Sequence, residues 1–332
     1  MAAHLQALLA NYYGLGDDMK TILEGVMGKV SAHTSVRYRQ GALMDEPNRN
    51  PIDWFSGVAS ESDVTIACLG ISQLMEGEEG ESIASRHKGD RVDIALPQNQ
   101  IDFLKTIRSK AKKLVVVMTG GSAIACPEVL EMADAFLFVW YPGEQGGAAV
   151  GDILFGDAVP SGRLPVTFPM ATSDLPPYED YAMKNRTYRY ASKEPLFPFG
   201  FGLSYTSFEY SNLKLDRSKI KSGESINLEV QVKNTGNRAA DEIVQLYLSD
   251  LEASVEVPIY ALKAFQSITL NPGQSQTIRF TIDPKMMELI NEQGKPVLES
   301  GQFKVYVGGS LPSARSVELG ASPFVETHFE VE

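Results

Sequence analysis

The sequence predicts an α/β plus all-β protein: a doubly wound, mostly parallel α/β sandwich followed by an antiparallel β-sandwich. Three observations carry this expectation. The first half alternates apolar runs of strand length with amphipathic stretches of helix length, which is the pattern of βα units and a parallel sheet. From about Phe208 onward apolar residues recur at every second position, as in strands with one buried face. Between the two lies a stretch crowded with proline and tyrosine, where missing backbone donors and fixed φ angles disfavour both helix and central strand.

Taken in order, Val64-Thr65-Ile66-Ala67-Cys68-Leu69, Leu114-Val115-Val116-Val117-Met118 and Ala135-Phe136-Leu137-Phe138-Val139-Trp140 have the continuous apolar, β-branched character of strands covered on both faces. Between the first two, Asn99 to Ile107 repeats its apolar positions at helical spacing after Pro97, a residue suited to a helix start. These elements make up an α/β domain over residues 1–165. Pro169, Pro176, Pro177, Pro195 and Pro198, with Tyr178, Tyr181, Tyr188 and Tyr190 among them, predict an ordered but irregular connector over 166–207. Over 208–332 the runs Ile226–Val232, Val244–Leu248, Thr277–Ile282 and Phe303–Val307 alternate, divided by turns such as Asn234-Thr235-Gly236-Asn237 and Asn271-Pro272-Gly273. Such spacing without a long helix indicates a sandwich of immunoglobulin or fibronectin type.

Composition excludes several functions. With 42 acidic against 30 basic residues the net charge is −12, so a phosphate backbone or an anionic bilayer is repelled and neither nucleic acid nor membrane is expected as a partner. No apolar run approaches the roughly 18 to 20 residues of a membrane span, and the start Met1-Ala2-Ala3-His4-Leu5 lacks the parts of a signal peptide. Cys68 and Cys126 read as small buried hydrophobes. The four histidines show no metal-ligand spacing, and no cofactor or metal is expected. Thr119-Gly120-Gly121-Ser122 follows a strand and resembles a phosphate cradle, but it has neither the P-loop lysine nor a dinucleotide fingerprint.

The chemistry-bearing stretch is the loop Glu76-Gly77-Glu78-Glu79-Gly80-Glu81, which runs on to Gly89-Asp90-Arg91. It follows the carboxyl end of a parallel-type strand, where α/β folds place their sites. Clustered carboxylates raise one another's pKa, as general acid–base work requires. As a bare composition, such a loop is also what a solvated surface turn looks like.

Further motifs sharpen this reading. Tyr141-Pro142-Gly143-Glu144-Gln145-Gly146-Gly147, then Gly151-Asp152-Ile153-Leu154-Phe155-Gly156-Asp157 leading into Pro160-Ser161-Gly162-Arg163-Leu164-Pro165-Val166-Thr167-Phe168-Pro169, then Phe197-Pro198-Phe199-Gly200-Phe201-Gly202-Leu203-Ser204-Tyr205-Thr206, together resemble the carboxyl-terminal part of glycoside hydrolase family 3, the β-glucosidases and β-xylosidases. Ala261-Leu262-Lys263-Ala264-Phe265 with Leu270-Asn271-Pro272-Gly273 is similar to the fibronectin type III domain that closes many members. The resemblance implies an acid/base carboxylate lent by a loop of the α/β domain. Its nearest match is Glu78, with Glu79 as first alternative, then Glu76 and Glu81, ahead of the pair Asp90-Arg91. Arg91 is the candidate for orienting a sugar hydroxyl or the loop itself.

The resemblance also implies a nucleophilic aspartate on an amino-terminal (β/α)8 barrel that these residues do not encode. The expected function is therefore the carboxyl-terminal portion of a retaining exo-β-glycosidase, β-glucosidase before β-xylosidase, acting on β-linked glucosides, xylosides and their oligosaccharides and inactive without the barrel. The alternative is a non-catalytic carbohydrate-binding or assembly module working with a separate barrel chain. Met1 stands about where the family's first strand ends, so Met1 is expected to be an internal methionine of a longer parent, periplasmic or secreted; sequence upstream of the start checks this. An α/β sheet lacking that strand is also expected to self-associate, which light scattering over a concentration range checks.

Overall fold

The computed structural model describes residues 1–10, 14–47, 53–77 and 89–332. The chain divides into two compact units, Met1–Ala158 with Pro169–Ser173, and Val159–Phe168 with Asp174–Glu332.

In the first unit, strands β1 (Thr65–Gly70), β2 (Leu114–Thr119) and β3 (Ala135–Phe138) pair in parallel in that order. Helices α1 (Ile22–Met27), α2 (Phe55–Glu61), α3 (Gln73–Glu76), α4 (Gln98–Arg108), α5 (Pro127–Met132) and α6 (Gly146–Phe155) alternate with them. Helix α4 follows Pro97 as expected and buries Ile101, Leu104 and Ile107 along one face. Helix α1 opens on a capping box, with the Thr21 hydroxyl accepting from the Glu24 amide while the Glu24 carboxylate accepts from the Thr21 amide.

Helices α1 and α6 approach at glycines. A Cβ on Gly25 would lie 1.7 Å from the Gly147 carbonyl oxygen, and one on Gly147 would lie 2.0 Å from that of Thr21. The last glycine of the Gly-Glu-Gln-Gly-Gly motif, Gly147, thus serves close backbone packing, with Ile22, Val150 and Val117 forming the core beneath. Strand β3 departs from the expectation of a strand covered on both faces. It forms an edge of the described sheet, and Phe136, Leu137 and Phe138 are only half-buried.

The second unit is antiparallel almost throughout. A three-stranded sheet, β4 (Phe208–Leu215), β6 (Ile226–Asn234) and β9 (Ser275–Ile282), accompanies a five-stranded one in the order β5 (Lys219–Ile220), β13 (Val325–Val331), β12 (Gly301–Gly308), β7 (Ala240–Asp250) and β8 (Ala261–Leu270). A small hairpin joins β10 (Leu289–Ile290) to β11 (Pro296–Val297). Ile226, Leu228, Val230 and Val232 of β6 alternate into a core shared with Val244, Leu246 and Leu248 of β7 and Phe303, Val305 and Val307 of β12. Period-two patterning here reports one buried face.

Strand β7 breaks the half-buried pattern, because Gln245 and Tyr247, expected on a solvent face, are 3% and 0% exposed. The proline- and tyrosine-rich stretch covers them. Gln245 Nε2 donates to the carbonyls of Gly200 (3.0 Å) and Gly309 (2.8 Å), and the Tyr247 hydroxyl donates to Gln245 Oε1 at 2.6 Å. Tyr188 stacks on Phe199 with ring centroids 4.1 Å apart and meets Tyr247 edge-on, so this tyrosine packs the stretch against β7.

Two of the sequence motifs bind one another in this stretch. Leu164 N–H donates to the Phe201 carbonyl, Gly200 N–H to that of Leu164, Phe168 N–H to that of Phe197 and Leu196 N–H to that of Phe168. Beneath them Arg163, 9% exposed in its side chain, donates through Nη2 to Glu242 Oε2 at 2.7 Å, through Nε to the Gly309 carbonyl at 2.8 Å and through Nη1 to that of Ser161 at 3.0 Å. The Tyr210 hydroxyl donates to the other Glu242 oxygen at 2.6 Å. Burial pushes the Glu242 carboxyl above its ordinary range, against the downward pull of Arg163 and Tyr210. Burial and then the Glu242 carboxylate push the Tyr210 phenol well above its usual 10.0.

Two outcomes follow from this network. Arg163→Leu leaves a buried carboxylate unpaired and lowers the stability of the second unit by about 3–5 kcal/mol, read as a fall in its urea midpoint. Tyr210 holds its proton to higher pH when folded than when unfolded. Its contribution is therefore complete below pH 10 and is lost as the pH rises further, at up to about 1.4 kcal/mol per pH unit. Urea midpoints measured from pH 8 to 11.5 check this, and the decline is shallower in Tyr210→Phe.

Candidate active site

The site is built at the carboxyl ends of the three parallel strands, the edge at which open α/β sheets bind ligands. Strand β1 ends at Gly70, whose φ of +126° and whose approach to β2, with a Cβ there 2.0 Å from the Thr119 carbonyl oxygen, require glycine. The side-chain amide of Gln100, on α4, then stands in for a neighbouring strand. Gly70 N–H donates to Gln100 Oε1 at 2.8 Å, and Gln100 Nε2 donates to the Gly70 carbonyl at 2.7 Å and to that of Met44 at 2.7 Å. Gln100 is 2% exposed, so these partners satisfy an amide that burial would otherwise penalise.

From this anchored end the chain passes through α3 to Glu76. Its carboxylate gathers the ends of the other two strands. Oε2 accepts from the Tyr141 hydroxyl at 2.8 Å, and Oε1 accepts from the Ser122 hydroxyl at 2.6 Å and from Gly121 N–H at 3.2 Å. Burial first, then the neighbouring Glu76, push the Tyr141 phenol far above its ordinary value, so it stays a donor throughout the neutral and acid range. The Gly121 N–H and Ser122 hydroxyl, the groups that made Thr119-Gly120-Gly121-Ser122 resemble a phosphate cradle, are occupied by a carboxylate of the same chain.

On the far side of the acidic stretch, Arg91 Nη2 donates to the Ser122 hydroxyl oxygen at 2.7 Å and to the Ala123 carbonyl at 3.2 Å. Its Nη1 is buried with no partner among the described residues. Burial lowers the Arg91 pKa against the opposing pull of Glu76, Tyr141 and Asp93. Asp93 in turn accepts from the Thr172 hydroxyl at 2.5 Å and the Ala95 amide at 2.9 Å, and those bonds hold its carboxyl below the ordinary range. Beside Arg91 opens a cleft of about 790 Å³ whose lining includes Asp93, Asn99, Asp102, Phe55 and Phe103.

Among the candidates named from sequence, Glu76 and Arg91 are thus brought together on one serine. Glu78, Glu79 and Glu81 lie outside the described residues. Sequence reasoning missed Ser122, Tyr141 and Gln100 as members of this site. Glu76 meets Ser122 across 46 positions and Tyr141 across 65, and no local pattern announces such a pairing. Among the described residues no group of histidines, cysteines and carboxylates could hold a metal ion, and no helix is long and apolar enough to cross a membrane.

Residues 3–205 match the glycosyl hydrolase family 3 C-terminal domain, and residues 242–311 match a fibronectin type III-like domain. Among characterised relatives, a periplasmic β-glucosidase of Salmonella typhimurium is 33% identical, aligning 91% of this chain with 42% of its own length. A β-xylosidase of Formosa agariphila is also 33% identical over 91% of this chain and 41% of its own. Among solved structures, a β-glucosidase from Erythrobacter marinus superposes with a TM-score of 0.79 at 30% identity, covering 95% of this chain and 43% of that one. A β-glucosidase from Listeria innocua, solved with isofagomine, has the same TM-score at 26% identity, covering 99% of this chain and 45% of that one. The chain therefore spans about two fifths of the length of the relatives it matches. With its two matched domains in the order that the strand patterns and motifs foretold, the chain belongs to glycoside hydrolase family 3, whose carboxyl-terminal part it resembles over nearly its whole length.

Proposed function

We propose that this chain is the acid/base-supplying portion of a retaining exo-β-glycosidase, a β-glucosidase first and a β-xylosidase second, acting on terminal β-linked sugars. The observation that carries the reading is the acidic stretch 76–81, which follows the carboxyl end of β1 and begins at a carboxylate anchored to residues just past the ends of β2 and β3. It stands in a family whose β-glucosidases and β-xylosidases include proteins 33% identical to this chain.

A retaining glycosidase needs two carboxyl groups about 5 to 5.5 Å apart. One attacks the anomeric carbon, and the other protonates the leaving oxygen and then deprotonates the incoming water. Glu78 is the acid/base in this reading and Glu79 the first alternative. With both oxygens of Glu76 committed to Tyr141, Ser122 and Gly121, that residue serves as the anchor. The nucleophile comes from a barrel of the family type, so hydrolysis requires this chain together with such a barrel. Arg91, with Nη2 committed to Ser122 and Ala123, orients the loop.

Leaving-group dependence tests the assignment. The chain is assayed alone and with a family barrel polypeptide added, on aryl β-glucosides and β-xylosides. Glu78→Gln is expected to lower kcat/KM for poor leaving groups by about 10²–10⁴ while sparing the 2,4-dinitrophenyl glycoside, whose departure needs no proton. Azide restores turnover of the activated substrate as the β-glycosyl azide. Normal turnover in Glu78→Gln with loss in Glu79→Gln moves the role to Glu79, and full activity of the chain alone removes the need for a barrel.

A further inference from the structure

Two cations meet at the edge strand of the five-stranded sheet, and two separate backbone irregularities bring them there. In the pairing of β7 with β8, Tyr247 stands opposite Leu262 and Leu246 opposite Ala264, so Lys263 is the extra residue of a β-bulge. A bulge leaves one residue out of the ladder and redirects its side chain. Lys263 is half-buried on a strand that ends its sheet, where the flexible stem of a lysine ordinarily carries the ammonium out to water.

The second irregularity positions Arg189. Asn185 and Thr187 have φ angles of +60° and +55°, which for a β-branched residue such as threonine is a strained conformation that persists only where surrounding contacts hold it. The contacts here are to the segment that enters β8. Ile259 N–H donates to the Arg189 carbonyl at 2.6 Å, and Leu262 N–H donates to the Tyr188 hydroxyl oxygen at 3.2 Å. Residues 187–190 are thereby fixed against residues 259–262, and Arg189 stands beside the bulge.

The two charges have no counterpart within hydrogen-bonding distance. Among the described residues neither the Lys263 ammonium nor the Arg189 guanidinium makes a hydrogen bond or an ion pair. The nearby Arg186 differs, donating through Nε to the Ala182 carbonyl and through Nη2 to that of Pro177, both at 3.0 Å. Burial first, and then Arg189, lower the Lys263 pKa against a weaker opposing pull from Asp283, whose carboxylate accepts from Met286 N–H at 3.0 Å. Like charges held near one another and partly out of water raise the free energy of the fold. A chain with 42 acidic residues nonetheless leaves this pair without one.

We propose that Lys263 and Arg189 form a binding site for an oxyanion, the carboxylate, sulfate or phosphate group of a small ligand, held between the ammonium and the planar guanidinium fork. Oxygens of such groups match that fork in pairs, and the bound charge removes the repulsion between the two side chains. Backbone strain and a bulge at one place are features that functional sites retain. The inference is independent of the acid/base reading, since every residue it uses belongs to the second unit.

The test titrates the full chain with glucuronate, sulfate or phosphate in place of chloride at constant ionic strength, and follows NMR shifts of the Lys263 side chain and of the amides of 188–190 and 261–264. Saturable shifts confined to these groups are expected for at least one probe, together with a rise in the Lys263 pKa. Lys263→Met and Arg189→Met are each expected to weaken binding at least about tenfold, as loss of a charge-assisted bond does. A response to glucuronate alone identifies a carboxylate ligand, and a response to sulfate or phosphate identifies a tetrahedral one. Shifts that stay linear with every probe, or binding that survives both methionine substitutions, overturn the proposal. Urea midpoints give a second readout: the probe that binds raises the wild-type midpoint and leaves that of Lys263→Met in place, whereas an equal rise in both overturns the proposal.

Discussion

The buried guanidinium of Arg163 is the group on which the second unit depends. It sits in the Gly162-Arg163-Leu164-Pro165 motif, outside any strand, yet it bonds Glu242 on β7 and the Gly309 carbonyl just past β12. Through those partners the irregular stretch is fastened to a regular sheet, and the fastening explains why Gln245 and Tyr247 face protein where the pattern of β7 would leave them facing water. An arginine suits the place because its five donors lie in a planar fork and its charge does not titrate. The Glu242 carboxylate that meets it would be costly to bury without it.

Glycine plays the corresponding part in the first unit. Gly25 and Gly147 let two helices touch backbone to backbone, Gly70 lets β1 end against β2, and Gly121 leaves room for a carboxylate. In each case the missing side chain is a condition of approach. One of the four, Gly147, stands in a motif by which the family is recognised, so part of that signature reports packing and not chemistry.

Within the acidic stretch, Glu76 is the carboxylate that the described residues anchor. Glu76 spends its two oxygens on the ends of β2 and β3, and its neighbour Gly77 turns away with a φ of +70°. Anchoring and proton transfer ask opposite things of a carboxyl group. An anchor is held by its donors, whereas an acid must hold its proton near working pH. In the function proposed for this chain the two duties fall on separate residues of one short stretch, and the anchor is Glu76.

Much of the fold was legible in the amino-acid sequence, because periodicity is a local property. Continuous apolar runs marked β1 and β2, helical spacing marked α4, and alternation marked β6, β9 and β12, each set by which faces a short segment must bury. The family was legible as well, since its motifs are contiguous. The acidic loop was legible as a candidate site from composition and position alone. Which of its carboxylates anchors, and to what, was decided by tertiary structure. Ser122 and Tyr141 meet Glu76 only because parallel strands bring their carboxyl ends to one edge, and β7 loses its solvent face only because a distant arginine holds a strap against it. Those are pairings of polar groups across long stretches of chain, specified by the geometry of approach and invisible to any pattern read along the sequence.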